Sequence, residues 1–99
     1  MRWDCSITDV PTAGTQVQIR NTKDEVSWIK FRAPSSNTGV TYVGLSDMSA
    51  TDGFPLGASG GEDADLEFDF RPGSVPIDEF WVDAATNGDD VGWAVIFKT

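Results

Sequence analysis

The sequence predicts an all-β domain, an antiparallel β-sandwich or jelly-roll-like barrel of roughly six to eight strands. Three observations carry that prediction. No stretch keeps a helical period over about ten residues. Short runs that alternate apolar and polar side chains recur along the chain, and clusters of Gly, Pro, Asn, Asp and Ser separate them at short spacing.

The elements follow in order. Thr15 to Asn21 alternates, with Val17 and Ile19 on one face and Gln16, Gln18 and Arg20 on the other. After the polar turn Asn21-Thr22-Lys23-Asp24, Val26 to Ala33 sends Ile29, Phe31 and Ala33 one way and Trp28, Lys30 and Arg32 the other. Val40 to Leu45 is a third strand, entered through Ser35-Ser36-Asn37-Thr38-Gly39. Ser46 to Gly61, with Asp52-Gly53, Phe54-Pro55 and Gly57-Ala58-Ser59-Gly60-Gly61, reads as one long loop.

Strand patterning resumes at Asp65 to Phe70, with Leu66, Phe68 and Phe70 inward and Asp65, Glu67 and Asp69 outward. Arg71-Pro72-Gly73-Ser74 turns the chain into Ile77 to Ala84, where Phe80, Val82 and Ala84 oppose Glu79, Trp81 and Asp83. Asn87-Gly88-Asp89-Asp90 is a hairpin signal, because Asn-Gly tolerates the positive φ of tight primed turns. Val91 to Lys98 is apolar at both parities and reads as a central strand. A further strand is expected near Ser6 to Val10, with residues 1–14 otherwise an extended N-terminal arm. Residues 1–99 form one domain, since 99 residues suffice for a single core and not for two.

Composition narrows the function classes. A chain that is 39% hydrophobic with four tryptophans is not disordered. The absence of histidine removes the commonest general base and metal ligand, and with them the Ser-His-Asp and Cys-His arrangements. The one cysteine, Cys5, allows neither an internal disulfide framework nor a thiolate zinc cage. No catalytic residue and no cofactor or metal is therefore expected.

The acidic residues Asp63, Asp65, Glu67 and Asp69 alternate, and Asn87, Asp89 and Asp90 cluster, but neither set meets the spacing of a calcium loop. A solvated strand face and an Asx-rich turn account for them. Gly57 to Gly61 leads into Glu62 and Asp63, a flank that repels phosphate. It reads as a flexible turn.

Charge points the same way. The net charge is −9, and from Ala33 onward twelve carboxylates face only Arg71 and Lys98. Such a surface repels nucleic acid and anionic membranes and suits a basic protein partner. No run of the roughly 20 apolar residues that span a bilayer occurs. The opening Met1-Arg2-Trp3-Asp4 does not read as a signal peptide, so cytoplasmic synthesis is expected. The candidate partner-binding residues are Trp3, Trp28, Lys30, Arg32, Met48, Phe54, Leu56 and Trp81. Trp28 and Trp81 lead the set, because each stands on an otherwise polar strand face, as interface anchors do.

Two tracts resemble segments of small tailed-phage virion proteins. Tyr42-Val43-Gly44-Leu45-Ser46 continues through Asp52-Gly53-Phe54-Pro55-Leu56, like their strand ending Val-Gly-x-Ser followed by a loop closing on Gly-x-Pro-Leu. Ile77-Asp78-Glu79-Phe80-Trp81-Val82-Asp83-Ala84-Ala85-Thr86-Asn87-Gly88-Asp89-Asp90-Val91 is similar to their closing hairpin. The resemblance implies a β-sandwich that decorates the capsid exterior or forms a small appendage. It also implies binding to the major capsid protein or another virion protein, commonly as a homo-oligomer, a trimer above all. The run Glu62-Asp63-Ala64-Asp65 is more acidic than the usual turn of such proteins. Two other functions compatible with the residues are a carbohydrate- or receptor-binding module stacking sugars on Trp28, Trp81 or Tyr42, and a neck or tail component.

Overall fold

Strand periodicity is strongest where the chain alternates Ile29, Phe31 and Ala33 against Trp28, Lys30 and Arg32, and that stretch lies near the middle of a sheet. In the computed structural model, which describes residues 2–45, 53–57 and 65–98, nine strands form two antiparallel sheets. They are β1 (Arg2–Asp9), β2 (Val17–Gln18), β3 (Glu25–Arg32), β4 (Thr41–Gly44), β5 (Phe54–Leu56), β6 (Asp65–Asp69), β7 (Val75–Pro76), β8 (Trp81–Ala84) and β9 (Asp90–Phe97). The five-stranded sheet runs β1-β9-β3-β6, with β7 also on β3 beyond the end of β6. The four-stranded sheet runs β2-β8-β4-β5.

The two sheets stack as a β-sandwich around Val26, Ile29, Phe31, Val43, Leu56, Ile77, Phe80, Val82, Val91, Trp93, Val95 and Phe97. The centre is aromatic: Phe31 meets Phe80 at 5.6 Å and Phe68 edge-on at 6.4 Å between ring centroids. Such pairs add to the burial of large apolar rings. As its two-parity apolar pattern predicts, β9 is central, flanked by β1 and β3.

Four expectations need correction. The N-terminal strand begins earlier than Ser6, so Arg2 to Cys5 are not part of an extended arm: β1 pairs with β9 without interruption from Arg2↔Phe97 to Asp9↔Asp90. The long loop contains β5, which pairs Thr41↔Leu56 and Val43↔Phe54 despite Pro55. Proline is tolerated there because β5 is an edge strand. The run Ile77 to Ala84 is a strand only from Trp81, since Ile77–Glu79 forms a 3-10 turn after Pro76.

The fourth correction concerns the turn at Asn87-Gly88. Gly88 has the expected positive φ of 84°. Yet β8 belongs to the four-stranded sheet and β9 to the other, so the turn crosses between layers and closes no hairpin. What fixes the crossover is side-chain bonding. Asn87 Oδ1 accepts the Ala13 N–H at 2.7 Å, and Asn37 brackets Asp90 by donating to its carbonyl at 2.8 Å and accepting its N–H at 2.9 Å.

Candidate interaction face

Register places side chains that the sequence leaves far apart on one surface. Residues directly opposite each other in an antiparallel pair share a face. Because Val91, Trp93, Val95 and Phe97 of β9 point into the core, Gly92, Ala94 and Ile96 point out. One outward row runs Trp3 (β1), Ile96 (β9), Trp28 (β3), Asp69 (β6); the next runs Cys5, Ala94, Lys30, Glu67; the third runs Ile7, Gly92, Arg32, Asp65. Across the sheet this gives an apolar band on β1 and β9, a basic band with Trp28 on β3, and an acidic band on β6.

The basic band is held by the acidic one. Arg32 Nε lies 2.9 Å from Asp65 Oδ1, Lys30 Nζ 4.0 Å from Asp65 Oδ2, and Trp28 Nε1 donates to Glu67 Oε2 at 2.9 Å. Beside them Arg71 clamps Asp69 through two hydrogen bonds of 2.9 and 2.7 Å, which hold that carboxyl down at about 2. Arg32 keeps much of its side chain in water even so, at 69% exposure. The small residues Gly92 and Ala94 leave a shallow depression of about 300 Å³ beside Lys30 and Arg32.

The apolar band reverses the usual sense of a sandwich strand. Trp3 and Ile7 are 66% and 63% exposed on the outer face, whereas the inner face of β1 carries Arg2, Asp4, Ser6 and Thr8. Polar contacts account for the reversal. Arg2 lies 4.1 Å over the Phe97 ring, Arg20 lies 5.0 Å over Trp93, and Thr8 Oγ1 accepts the Trp93 Nε1–H at 3.0 Å. Arg20 also grips Asp4 at 2.5 Å, which holds the Asp4 carboxyl below its ordinary range. Guanidinium groups and hydroxyls therefore cover this flank of the core.

The sequence-derived residues separate accordingly. Trp3, Trp28, Lys30 and Arg32 share the outer face of the five-stranded sheet. Trp81 is half-buried on the opposite outer face, in the row Gln18, Trp81, Gly44, so it and Trp28 form no common platform. Phe54 is exposed on the β5 edge, at 55%. Leu56 is a correction: it is fully buried, because β5 turns it into the core opposite Thr41, and it offers no contact surface. Met48 lies outside the described residues. Sequence reasoning missed Ile7, and the alternation Trp3, Cys5, Ile7 is the signal that finds it.

The acidic turn does structural work. Asp89 is 5% exposed and its carboxylate accepts the N–H groups of Thr38 and Gly39 at 3.0 and 2.8 Å. Asp83 is equally enclosed, accepting from Gly14 N at 3.0 Å and Ala84 N at 2.8 Å. At the far end of β1, burial and the facing Asp9 carboxyl, with Asp89 nearby, raise Asp90 above the usual carboxylate range. A second, apolar cavity of about 340 Å³ opens between the sheets and is lined by Leu45, Phe68, Phe70, Val75 and Phe80 among others.

No family model matches the chain, and no curated protein matches it. Among solved structures it is similar to IMPa from Pseudomonas aeruginosa in complex with an O-glycopeptide, at 12% identity and a TM-score of 0.46. That alignment covers 97% of this chain but 12% of the other, so the chain spans about an eighth of the length of the protein it matches.

Proposed function

We propose that the protein is a non-enzymatic structural component of a tailed-phage virion, a capsid decoration protein that docks through the outer face of its five-stranded sheet. The observation that carries the docking surface is the gathering of Trp3, Ile7, Trp28, Lys30 and Arg32 on one sheet face of a molecule whose net charge is −9. Aromatic and Arg side chains on a rigid scaffold are what interface centres are made of. The virion setting rests on the two tracts from Tyr42 and from Ile77. A capsid-exterior location and the major capsid protein as partner follow from it.

The test is co-sedimentation of the purified protein with mature capsids that lack it, together with the thermal stability of those capsids. Saturable binding and a raised capsid melting temperature are expected. Absence of both sinks the reading. A glycan-binding role has less support, because Trp28 and Trp81 lie on opposite faces. Glycan-array binding lost on Trp28→Ala would favour it instead.

A further inference from the structure

Edge strands invite pairing with other chains, and proteins blunt them with charge, proline, shortness or bulges. Among the described residues, three of the four sheet margins are blunted in those ways. β6 carries Asp65, Glu67 and Asp69 at alternate positions, with β7 beyond it a two-residue strand containing Pro76. β5 has three residues including Pro55, and β2 has two. β1 differs in length, in composition and in register: it has eight residues, no proline, no lysine and an unbroken register with β9, and its charges are Arg2, Asp4 and Asp9.

Its free backbone groups are on the odd-numbered residues. Just past the strand, Val10 N–H donates to Asp89 O at 3.0 Å and Val10 O accepts from Gly88 N–H at 2.8 Å. Even-numbered residues thus turn their main chain toward β9, and Trp3, Cys5 and Ile7 turn theirs to the open edge. Consistent with this, Cys5 N–H donates to its neighbour's carboxylate, Asp4 Oδ1, at 2.8 Å.

We propose that β1 pairs antiparallel with β1 of a second copy of this chain, about a two-fold axis at Cys5, joining the two five-stranded sheets into one. In this register Cys5 faces Cys5 of the second copy and Trp3 faces its Ile7, twice over by symmetry. The two-fold axis is perpendicular to the sheet, so both apolar bands lie on the same side and merge. On the inner side Asp4 faces Ser6 of the second copy and Arg2 faces its Thr8.

Neighbouring registers are worse. Sliding by two residues one way sets Asp4 against Asp4, and the other way sets Trp3 against Asp9. The seam is also neutral in an acidic protein: between Trp3 and Ile7 the one charged residue is Asp4, and Arg20 already binds it. Pairing exchanges the Cys5–Asp4 bond for main-chain bonds across the seam, about six in all. A two-fold pair displaces the trimer that the phage resemblance implies. It does not depend on the virion reading, although such a pair would double the docking face on one side.

The 99-residue chain should sediment at twice its 10.7 kDa mass. Ile7→Lys, at an exposed position, should sediment as a monomer with an unchanged near-ultraviolet circular dichroism spectrum. A short bifunctional thiol reagent should link the two copies through Cys5, since hydrogen-bonded cross-strand Cα atoms lie about 5.5 Å apart with their side chains on one face. In a Cys5→Ser background, Trp3→Cys together with Ile7→Cys should also cross-link, and Trp3→Cys alone should not. A monomer at about 100 µM, a trimer, a dimer that Ile7→Lys leaves intact, or a dimer without the Cys5 link would each overturn the proposal. Capsid binding is measured separately, so a dimer that ignores capsids removes the virion reading and leaves this one standing.

Discussion

Asp89 Oδ2 accepts the Gly39 N–H at 2.8 Å, tying the turn before β9 to the loop before β4. Its other oxygen takes the Thr38 N–H at 3.0 Å, and the residue is 5% exposed. Asp89→Ala leaves those main-chain donors without their acceptor, a loss of about 3 kcal/mol. Asp89→Asn should lose less, because its carbonyl oxygen still accepts one of the two bonds. Urea denaturation of both variants checks the order; an alanine variant as stable as the parent would refute the bracing role.

Gly39 is constrained from the same side. A Cβ there would sit 2.6 Å from Thr86 Oγ1. Gly39→Ala is expected to lose about 1 kcal/mol, and adding Thr86→Ala should restore most of it. The double-mutant cycle measures the coupling directly. Additive losses would mean that the clash is relieved in some other way.

Stability should depend on pH in two opposed ways. The folded state raises Asp90 above its unfolded value, so its ionised form is disfavoured and stability increases as pH falls from neutral through that raised value. Asp69 is lowered from 3.8 to about 2, so its contribution is present above the unfolded value and is lost as pH falls toward 2. The denaturation midpoint should therefore rise from pH 7 toward mild acidity and then drop. Asp90→Asn removes the facing like charges, should stabilise the protein at pH 7 by about 0.5 kcal/mol, and should flatten the first limb alone.

Replacing the cations of the sheet face should separate binding from folding. Lys30→Gln with Arg32→Gln breaks exposed ion pairs to Asp65, each worth less than about 1 kcal/mol. Under the proposed docking, capsid affinity falls tenfold or more, on the order of 1.4 kcal/mol. Unchanged binding would move the docking surface elsewhere.

Much of the sandwich is legible in the chain because period-2 burial survives wherever apolar side chains line the core-facing side of a strand. β3, β6 and β9 lie close to where alternation puts them, and the parity of Trp28, Lys30 and Arg32 is as read. Local patterning says nothing about which sheet a strand joins, so Asn87-Gly88 passes for a hairpin although its flanking strands belong to different layers. β5 is hidden by Pro55, whose lack of an N–H is harmless only at an edge. β1 is hidden by its reversed amphipathicity, which depends on Arg2, Arg20 and Thr8 covering the inner side. The interaction face was half visible: Trp28, Lys30 and Arg32 share a strand, but only the β1–β9–β3 register brings Trp3 and Ile7 to them.

The place of β9 in the sheet also bears on how the sheet closes. It is the last of the described strands, yet β1 and β3, two of the earliest, both pair with it. Neither can complete its ladder before β9 is in place. Closure of this sheet therefore waits on pairings between distant parts of the chain, Arg2 with Phe97 among them, and such non-local pairing makes folding slow.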